Sequence, residues 1–395
     1  MLSNDCKGDD ILGSKYRPVI AVTGSAGKTT TKEMIASILR RKWKIYKTKD
    51  NMNLPAYIDK QRKEISSKHR AVVLEYGMSK AGHIRKSCQL IKPNIGVVTM
   101  VGAAHIGNFG GSIRRVAQAK SELIRGMNQS GMLFLNADDR NSRYLTTKGF
   151  RGRLFKVSLY KNANYQASRI AFTETGMSFS VEINRKQIRF HIPAFGKHNI
   201  YNALFAIGVA RQLGISADMI RKGLESYQKP DRRLVIYRLR KHVKVIDDTF
   251  SANPQAVQAA VDVLAGIGRG KRIFVLGDML ELGRYSKKGH QIVGAYAARK
   301  KVHHLLTYGR DSRHARNAAV RSGLSSIQAR HFNDRRALHA ALFRLTTPST
   351  TILVKGSHKM RMNRTVKYIS NQVQSRNRID SRRRAERKKK AGKKR

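Results

Sequence analysis

The sequence predicts an α/β protein built on mostly parallel sheets, and its hydrophobic pattern supports this fold class in three ways. Short apolar runs of strand length recur, for example at residues 19–22, 71–74 and 95–98. Between several of these runs, apolar residues repeat every three to four positions, which is the spacing of an amphipathic helix. Two series of alternating predicted strands and helices follow one another, one before and one after residue 232. Strands that alternate with helices form parallel sheets through right-handed crossovers.

A glycine-containing loop separates the first predicted strand from the first predicted helix. Val19–Val22 is apolar and β-branched, and the loop Gly-Ser-Ala-Gly-Lys-Thr runs from Gly24 to Thr29, where helical spacing begins. Backbone N–H groups in such a loop bind phosphate, the lysine (Lys28) pairs with outer phosphates, and the threonine hydroxyl reaches magnesium. The loop is two residues shorter than the general P-loop pattern. A phosphate-binding loop is therefore predicted, and a surface turn is the alternative.

Polar side chains follow the next two predicted strands. Glu75 comes directly after the run Ala71–Leu74, and His105 lies in the segment after Ile95–Met100. Ligands of open parallel sheets bind at the carboxyl ends of the strands, so both side chains are expected near the ion that Thr29 contacts. A solvated carboxylate and a surface histidine are the alternatives for each residue alone. Three such positions on successive strand ends favour a metal site.

The helix after the third strand carries a lysine, Lys120, on or beside its apolar stripe. The stripe is formed by Ile113, Val116, Ala117, Leu123 and Ile124. Lysine is rarely buried without a partner. Either Lys120 reaches water along its aliphatic stem, or another group pairs with it or modifies it.

The chain is expected to form two α/β domains. Residues 154–195 alternate in polarity and contain turn signals, which predicts antiparallel strands at one edge of the first domain. Apolar runs at 243–246, 273–276, 305–308 and 351–354 predict the second sheet. The expected organisation is a short N-terminal segment (1–17), a central ATP-binding domain of P-loop type (18–232), a C-terminal Rossmann-like α/β domain (233–375) and a basic tail (376–395).

The charge of the chain is unusually positive. The sequence has 80 Lys and Arg against 25 Asp and Glu, a net charge of +55, and residues 376–395 hold 12 basic and 2 acidic residues. Most of the excess therefore lies outside the tail, which we expect to be disordered. This charge predicts salt-dependent, non-specific attraction of polyanions to the basic surface and tail. Two cysteines, no signal peptide and no apolar run of membrane length lead us to expect a cytoplasmic protein, and we expect a monomer.

Five stretches in a fixed order carry a family resemblance. They are Thr23-Gly24-Ser25-Ala26-Gly27-Lys28-Thr29-Thr30, Gly196-Lys197-His198-Asn199 with Asn202-Ala203, residues 247–254 (Asp-Asp-Thr-Phe-Ser-Ala-Asn-Pro), residues 275–283 (Val-Leu-Gly-Asp-Met-Leu-Glu-Leu-Gly) with His290, and Val354-Lys355-Gly356-Ser357. Together they resemble the Mur ligase family of ATP-dependent amide-bond-forming enzymes. The likeness is strongest to the MurF type, which joins D-alanyl-D-alanine to a UDP-muramoyl-tripeptide in peptidoglycan biosynthesis.

The resemblance implies a role for each matching residue. ATP would be bound by Gly24, Ser25, Ala26, Gly27, Lys28, Thr29, Thr30, Asn136, His198, Asn199, Asn202, Arg233 and Asp248. Magnesium would be held by Thr29, Glu75, His105 and a carbamylated Lys120, of which the last three and Lys28 would serve catalysis. The amine substrate would meet Asn253, Lys355 and Ser357.

The implied reaction joins a carboxylate of a peptidoglycan precursor to D-alanyl-D-alanine or another amino compound through an acyl phosphate. The pattern departs from the family in two places. MurF-type enzymes carry a UDP-binding domain ahead of the phosphate loop, whereas 17 residues precede Pro18 here, so a ligase lacking that domain is expected. His358 stands where the family favours arginine, which leaves the amine open. Two alternatives remain: a related ligase acting on a secondary metabolite or poly-amino acid, and a pseudoenzyme that binds polyanions.

Overall fold

The structure is a computed structural model that describes residues 17–50 and 52–375. The chain divides into two units, with the boundary between Pro230 and Asp231. The basic tail predicted at 376–395 lies outside the described residues, as does the predicted N-terminal segment except for Arg17. Each unit is a mixed α/β structure with a largely parallel sheet, which confirms the predicted fold class. Among the described helices, none combines the length and the apolar character needed to cross a bilayer.

The first unit contains a nine-stranded sheet. Its strands are β1 (Val19–Thr23), β2 (Ile45–Lys47), β3 (Ala71–Glu75), β4 (Ile95–Val98), β5 (Met132–Asn136), β6 (Arg153–Ser158), β7 (Tyr165–Phe172), β8 (Met177–Ile183) and β9 (Lys186–Ile192). Its helices are α1 (Lys28–Leu39), α2 (Pro55–Glu64), α3 (His83–Leu90), α4 (Ile113–Gly126), α5 (Lys197–Gln212) and α6 (Ala217–Glu225).

The strand order β2-β3-β1-β4-β5-β6-β7-β8-β9 brings the ends of four parallel strands to one edge. In the register of the sheet, Val22 lies beside Glu75, and Thr23 lies beside Val98. Val98 in turn lies beside Leu135, the residue before Asn136. The sequence therefore delivers Thr23, Glu75 and Asn136 to neighbouring strand ends, as expected for a ligand site of an open parallel sheet.

The alternating segment from residue 154 was predicted to be antiparallel throughout, and this was wrong for its first strand. β6 is parallel to β5 and, over its last two residues, parallel to β7. The expected antiparallel pairs are β7 with β8 and β8 with β9. Alternation shows that one face of a strand is buried, but it says nothing about the direction of the neighbouring strand.

Helix α5 forms the centre of the first unit. Most of its side chains are buried, including Phe205 and Ile207, and it packs against α1 and strands β5 to β8. Gly208 allows this close approach, because a Cβ atom there would lie 2.8 Å from the Phe134 ring. A helix that is apolar around most of its circumference is buried on most sides. α5 therefore fixes its own N-terminal turn relative to α1.

The second unit contains a six-stranded sheet. Its strands are β10 (Val235–Arg238), β11 (Lys244–Asp248), β12 (Arg272–Gly277), β13 (His304–Tyr308), β14 (Ala329–Phe332) and β15 (Thr351–Lys355). Its helices are α7 (Pro254–Ile267), α8 (Ser286–Arg299), α9 (Arg313–Arg321), α10 (Arg335–Leu345) and α11 (363–375). The order is β10-β11-β15-β12-β13-β14, and only the short edge strand β10, which the hydrophobic pattern did not predict, runs antiparallel to its neighbour.

Replacing Phe205 by Ala should lower the free energy of unfolding of the first unit by about 3–5 kcal/mol, because its fully buried ring would leave a cavity. Urea unfolding can be followed by the fluorescence of Trp43, the one tryptophan of the chain, which packs against the same core. Phe172→Ala is the matched control. Its ring is 44% exposed, so a change of about 0.5 kcal/mol or less is expected. Equal losses in the two variants would contradict the assignment of α5 as the core helix.

Candidate active site

The loop between β1 and α1 has a backbone that only glycine adopts easily at two positions. Gly24 has φ +149° and Gly27 has φ +84°. A Cβ atom on Gly24 would lie 1.8 Å from Thr99 Oγ1, and one on Gly27 would lie 2.5 Å from Asn202 Oδ1. Both glycines are therefore needed for conformation and for space. The loop ends at the N-terminus of α1, where the positive end of the helix dipole favours an anion.

Hydrogen bonds from the segment after β4 hold this loop in shape. Thr99 Oγ1 donates to the carbonyl of Ala26 at 2.6 Å. Ser25 Oγ donates to the Gly102 carbonyl at 2.9 Å and accepts from the Gly102 N–H at 2.8 Å. The Ser25 N–H donates to the Met100 carbonyl at 2.9 Å. Ser25 and Ala26 thus shape the loop through contacts that the sequence pattern did not reveal, and Thr99 is a site residue that it missed.

The polar side chains of the phosphate loop lie where the loop enters α1. Lys28 Nζ donates to the Gly24 carbonyl at 2.9 Å, so its ammonium group folds back over the loop. Thr29 and Thr30 lie in the first turn of α1 and are buried. The Lys28 ammonium group and the N-terminus of α1 together form a positive environment suited to phosphate.

Two asparagines of the α5 motif connect α5 to the phosphate-loop helix. Asn202 Oδ1 accepts from Thr31 Oγ1 at 3.1 Å, and Asn202 Nδ2 donates to Asn199 Oδ1 at 3.0 Å. Asn199 Nδ2 donates to the Phe195 carbonyl at 2.8 Å. Both side chains are buried, whereas His198 in the same turn is half-buried. The structure therefore shows Asn199 and Asn202 holding α5 in place.

Asn136 lies at the end of β5, on the same edge of the sheet. Its Oδ1 accepts from the backbone N–H of Asp138 at 2.9 Å, so the side chain shapes the turn that follows the strand. Asp138 is bonded in turn by Tyr201 of α5, whose hydroxyl donates to Asp138 Oδ2 at 2.7 Å. Hydrogen bonds from the Leu159 N–H, Tyr201 and Ser158 keep the pKa of Asp138 below its ordinary value. The turn beside the phosphate loop is thus fixed and negatively charged.

Glu75 is a buried carboxylate with one oxygen unsatisfied. The side chain is 1% exposed, and its Oε1 accepts from Asn53 Nδ2 at 2.8 Å. Its Oε2 is buried and has no hydrogen-bond partner among the described residues. A buried carboxylate oxygen without a partner is costly, so Glu75 fits the requirements of a cation ligand. No three His, Cys, Asp or Glu side chains cluster together within the described ranges, so the site would need other donors.

His105 lies in the segment that leads from β4 to α4. Its backbone has φ +59°, a left-handed conformation that is uncommon for a residue other than glycine. A short 3₁₀ turn, Ile106–Phe109, follows directly. The side chain is half-buried.

Lys120 is buried in α4 without a compensating charge. It is 2% exposed, and it makes no hydrogen bond or ion pair with the described residues. Burial, and to a lesser extent the nearby charge of Lys28, lower the pKa of Lys120 well below its ordinary value. Only a small part of the Lys120 side chain is in contact with solvent. Lys120 therefore lies close enough to Lys28 for the two charges to interact, and its environment disfavours the protonated form.

In the second unit, the structure pairs two residues that the sequence analysis had given to different ligands. Asp248 ends β11 and Lys355 ends β15, and these residues are register partners in adjacent parallel strands. Lys355 Nζ lies 2.5 Å from Asp248 Oδ2 and donates to the Ser251 carbonyl at 2.8 Å. Lys355 is 1% exposed. In this structure the Lys355 ammonium group is thus bonded within the second unit.

The remaining motif residues of the second unit mostly make contacts within the loops that follow β11, β12 and β15. The Arg233 guanidinium lies 4.3 Å from the centre of the Phe250 ring. Asn253 Oδ1 accepts from the Ala256 N–H at 2.9 Å and caps α7. Ser357 Oγ accepts from the Leu280 N–H at 2.9 Å. These contacts position the loops after β11, β12 and β15.

His290, the last residue of the fourth motif, has a structural environment. It is fully buried, its Nε2 accepts from the Met279 N–H at 3.0 Å, and its Nδ1 lies 2.8 Å from the Ser286 carbonyl. The Met279 donor requires an unprotonated Nε2, so Nδ1 carries the proton and donates to Ser286. Burial lowers the pKa of His290, which favours this neutral form. His290 therefore holds the loop after β12.

Comparison with known proteins gives consistent results for both units. Residues 22–210 match the Mur ligase middle domain, and residues 232–358 match the Mur ligase glutamate ligase domain. The UDP-N-acetylmuramoyl-tripeptide–D-alanyl-D-alanine ligase of Escherichia coli is 33% identical over 354 residues, which are 88% of this chain and 76% of the relative. The ligase of the same name from Bacillus subtilis is 30% identical over 353 residues, 88% of this chain and 75% of the relative.

Solved structures extend the likeness to the fold. MurF from Acinetobacter baumannii superimposes with a TM-score of 0.82 at 27% identity and covers 90% of this chain and 76% of its own. MurF from Thermotoga maritima in complex with ADP gives a TM-score of 0.80, with 91% of this chain and 81% of its own covered. At 23% identity, the second likeness concerns the fold alone.

Thr99→Val should weaken the binding of ADP about fivefold or more, because it removes the donor to the Ala26 carbonyl and leaves the phosphate loop less ordered. Isothermal titration calorimetry measures this change. Ser370→Ala is the matched control, since the buried Ser370 hydroxyl of the second unit has no hydrogen-bond partner among the described residues and its loss should leave the affinity unchanged. Unchanged ADP binding in Thr99→Val would show that Thr99 does not shape the loop.

Proposed function

The protein belongs to the Mur ligase family, and we propose that it is an ATP-dependent carboxylate–amine ligase of MurF type. It joins D-alanyl-D-alanine, or another amino compound, to the carboxylate of a peptidoglycan-precursor-like acid. The observation that carries this proposal is the phosphate loop with Lys28 folded over it, in the same unit as the unsatisfied carboxylate oxygen of Glu75 and the buried Lys120.

The proposed reaction has two steps, each balanced in atoms and electrons. An oxygen of the substrate carboxylate attacks the γ-phosphorus of ATP, the bond from that phosphorus to the β–γ bridging oxygen breaks, and ADP leaves. The amine nitrogen then forms a bond to the acyl carbon, the bond from that carbon to the phosphoryl-bearing oxygen breaks, inorganic phosphate leaves with that oxygen, and the nitrogen loses a proton. Catalysis of such a transfer depends mainly on positioning and on offsetting negative charge. In this chain the Lys28 ammonium and the N–H groups at the start of α1 supply that positive charge.

The residues present fit a magnesium site. Glu75 offers a buried oxygen that lacks a partner, and Thr29, His105 and a modified Lys120 are the further proposed ligands. Bound magnesium supplies additional positive charge to the phosphate groups. Glu75 and Thr29 lie on neighbouring elements. Glu75 ends β3, which pairs with β1, and β1 leads through the phosphate loop into α1, which carries Thr29.

We propose that Lys120 is carbamylated. Only a neutral amine attacks carbon dioxide, and burial lowers the pKa of Lys120, which favours the neutral form. The nitrogen lone pair forms a bond to the carbon, a proton leaves the nitrogen, and a carbamate anion results. The product replaces an uncompensated buried lysine with a carboxylate-like ligand, and its negative charge is favourable near Lys28.

The other family roles complete the proposal. In the first unit, Asn136, His198, Asn199 and Asn202 would border the adenine; in the second, Arg233 and Asp248 would meet phosphate and ribose. Asn253, Lys355 and Ser357 would border the amine substrate through the loops that they hold. The central domain would span 18–232 and the C-terminal domain 233–375. The enzyme would act as a monomer in the cytoplasm.

Non-specific polyanion binding is a secondary proposal, which rests on the basic surface. The chain has a net charge of +55. On its surface, the guanidinium groups of Arg114 and Arg143 lie 5.1 Å and 4.8 Å from the centre of the Tyr144 ring. Exposed arginines on an aromatic ring form a surface that attracts anionic polymers in a salt-dependent way. This property would accompany ligase activity and would not replace it.

Phosphate release from ATP and magnesium tests the proposed function. We expect release only when a UDP-muramoyl-tripeptide and D-alanyl-D-alanine are both present. Lys28→Ala should lower the rate at least about 100-fold, because the lysine offsets charge on the transferring group. The exposed Lys148→Ala is the matched control and should keep the rate of the unchanged protein. Release with a different acid and amine would indicate the related ligase, and silence with every pair would contradict the proposal.

Carbamylation of Lys120 predicts a dependence on bicarbonate. Removing carbon dioxide from the buffer should lower activity and adding bicarbonate should restore it, while Lys120→Ala should be inactive until a short carboxylic acid is added. Mass spectrometry at neutral pH should find an increase on Lys120 that is lost in acid, because protonation returns the carbamate to ammonium and carbon dioxide. Full activity of Lys120→Ala without rescue would contradict the modification.

A further inference from the structure

A buried network connects the phosphate-loop helix to Glu75 through the segment between β2 and α2. Lys32 of α1 is fully buried, and its Nζ donates to the carbonyls of Thr48 at 2.7 Å and Asp50 at 3.2 Å. The same ammonium pairs with Glu33 Oε1 at 2.9 Å. Three oxygens thus satisfy a buried cation, and two of them belong to the segment that follows β2.

The start of this segment is also bonded to the strand that carries Glu75. Thr48 Oγ1 accepts from the Glu75 N–H at 3.0 Å, and the Thr48 N–H donates to the Val73 carbonyl at 3.0 Å. Thr48 is therefore held from both sides, by Lys32 of α1 and by β3. These contacts fix the backbone position of Glu75 relative to the phosphate-loop helix.

The end of the segment contacts the side chain of Glu75. Asn53 Nδ2 donates to Glu75 Oε1 at 2.8 Å, and the Asn53 carbonyl accepts from the Gly77 N–H at 2.8 Å. A Cβ atom on Gly77 would lie 2.1 Å from Asn53 Oδ1, so glycine is required for the asparagine to approach so closely. The amide of Asn53 thus occupies one Glu75 oxygen and leaves the other without a partner among the described residues.

We propose that Asn53 is a positioning residue that makes Glu75 a metal ligand through Oε2 alone, with Lys32 anchoring the segment that carries it. The inference deepens the proposed function, since it assumes that Glu75 faces magnesium. In this inference Asn53 acts through its hydrogen bond to Glu75 and is not itself a metal ligand. It acts by fixing the rotation of the carboxylate and by engaging the oxygen that would otherwise be available for a second metal bond.

Binding through one oxygen has a consequence for metal choice. Magnesium requires a near-octahedral set of ligands and is usually held by single carboxylate oxygens, water and phosphates. Calcium accepts more ligands and readily takes both oxygens of one carboxylate. A Glu75 restricted to Oε2 therefore favours magnesium. A Glu75 with both oxygens available loses part of that preference.

The test compares the affinity for ADP in excess magnesium with the affinity in excess calcium, by isothermal titration calorimetry on the full chain. The unchanged protein should bind ADP more tightly with magnesium than with calcium. Asn53→Ala should reduce this ratio about tenfold, because partners of metal ligands typically change metal affinity by that factor or more. Asn53→Leu, which keeps the side-chain volume but lacks the donor, should do the same.

Gln61→Ala is the matched control. Gln61 Nε2 donates to the Met52 carbonyl at 2.7 Å, so it supports the same segment without contacting Glu75. Gln61→Ala should change the ADP affinities with magnesium and with calcium by the same factor, so their ratio should stay unaltered. If Asn53 had a merely structural role, the Asn53 variants would also leave the ratio unaltered.

Three results would overturn the inference: an unaltered ratio in the Asn53 variants, an equal shift in Gln61→Ala, or a ratio near one in the unchanged protein. The last applies even if the variants do not fold. Failure of the unchanged protein to bind ADP with either metal would instead count against the proposed function.

Discussion

The hydrogen bonds between the phosphate loop and the segment after β4 are the constraint on which the rest of the candidate site depends. Thr99 and Gly102 hold the loop from one side, and Asn202 of α5 closes it from the other. Because the loop fixes the start of α1, it also fixes Lys28 and Lys32, which lie one turn apart on that helix. Lys28 turns back over the loop, whereas Lys32 turns inward and anchors the segment that reaches Glu75. One helix thus links the phosphate-binding and carboxylate parts of the site.

Three buried lysines show how differently the protein treats internal positive charge. Lys32 has Glu33 and two carbonyls, and Lys355 has Asp248 and the Ser251 carbonyl. Lys120 has no such partners among the described residues, and burial lowers its pKa, which favours the neutral amine. A buried cation is tolerated when oxygens surround it, so the first two are explained by their contacts alone. Lys120 lacks such contacts, so the proposed modification concerns this lysine and neither of the others.

The sequence predicted well what depends on local pattern. The positions of β1, β3 and β4 follow from apolar runs, and parallel pairing then brings Glu75 to the same edge as the phosphate loop. It predicted poorly what depends on partners far along the chain. Nothing local marks Thr99 or Asn53, whose contacts lie 73 and 22 residues away, and register alone pairs Asp248 with Lys355. The direction of β6 was missed for the same reason, since alternation reports burial and not the neighbouring strand.

The central claim is that this chain activates a carboxylate as an acyl phosphate before forming an amide. The most direct measurement uses an acid substrate labelled with oxygen-18 in the reacting carboxylate and follows the label by mass spectrometry. If the carboxylate attacks the γ-phosphorus and the amine then displaces phosphate, one labelled oxygen must appear in each molecule of inorganic phosphate, in step with amide formation. Phosphate that carries no label while amide accumulates would contradict the account, because the carboxylate would then never have been phosphorylated.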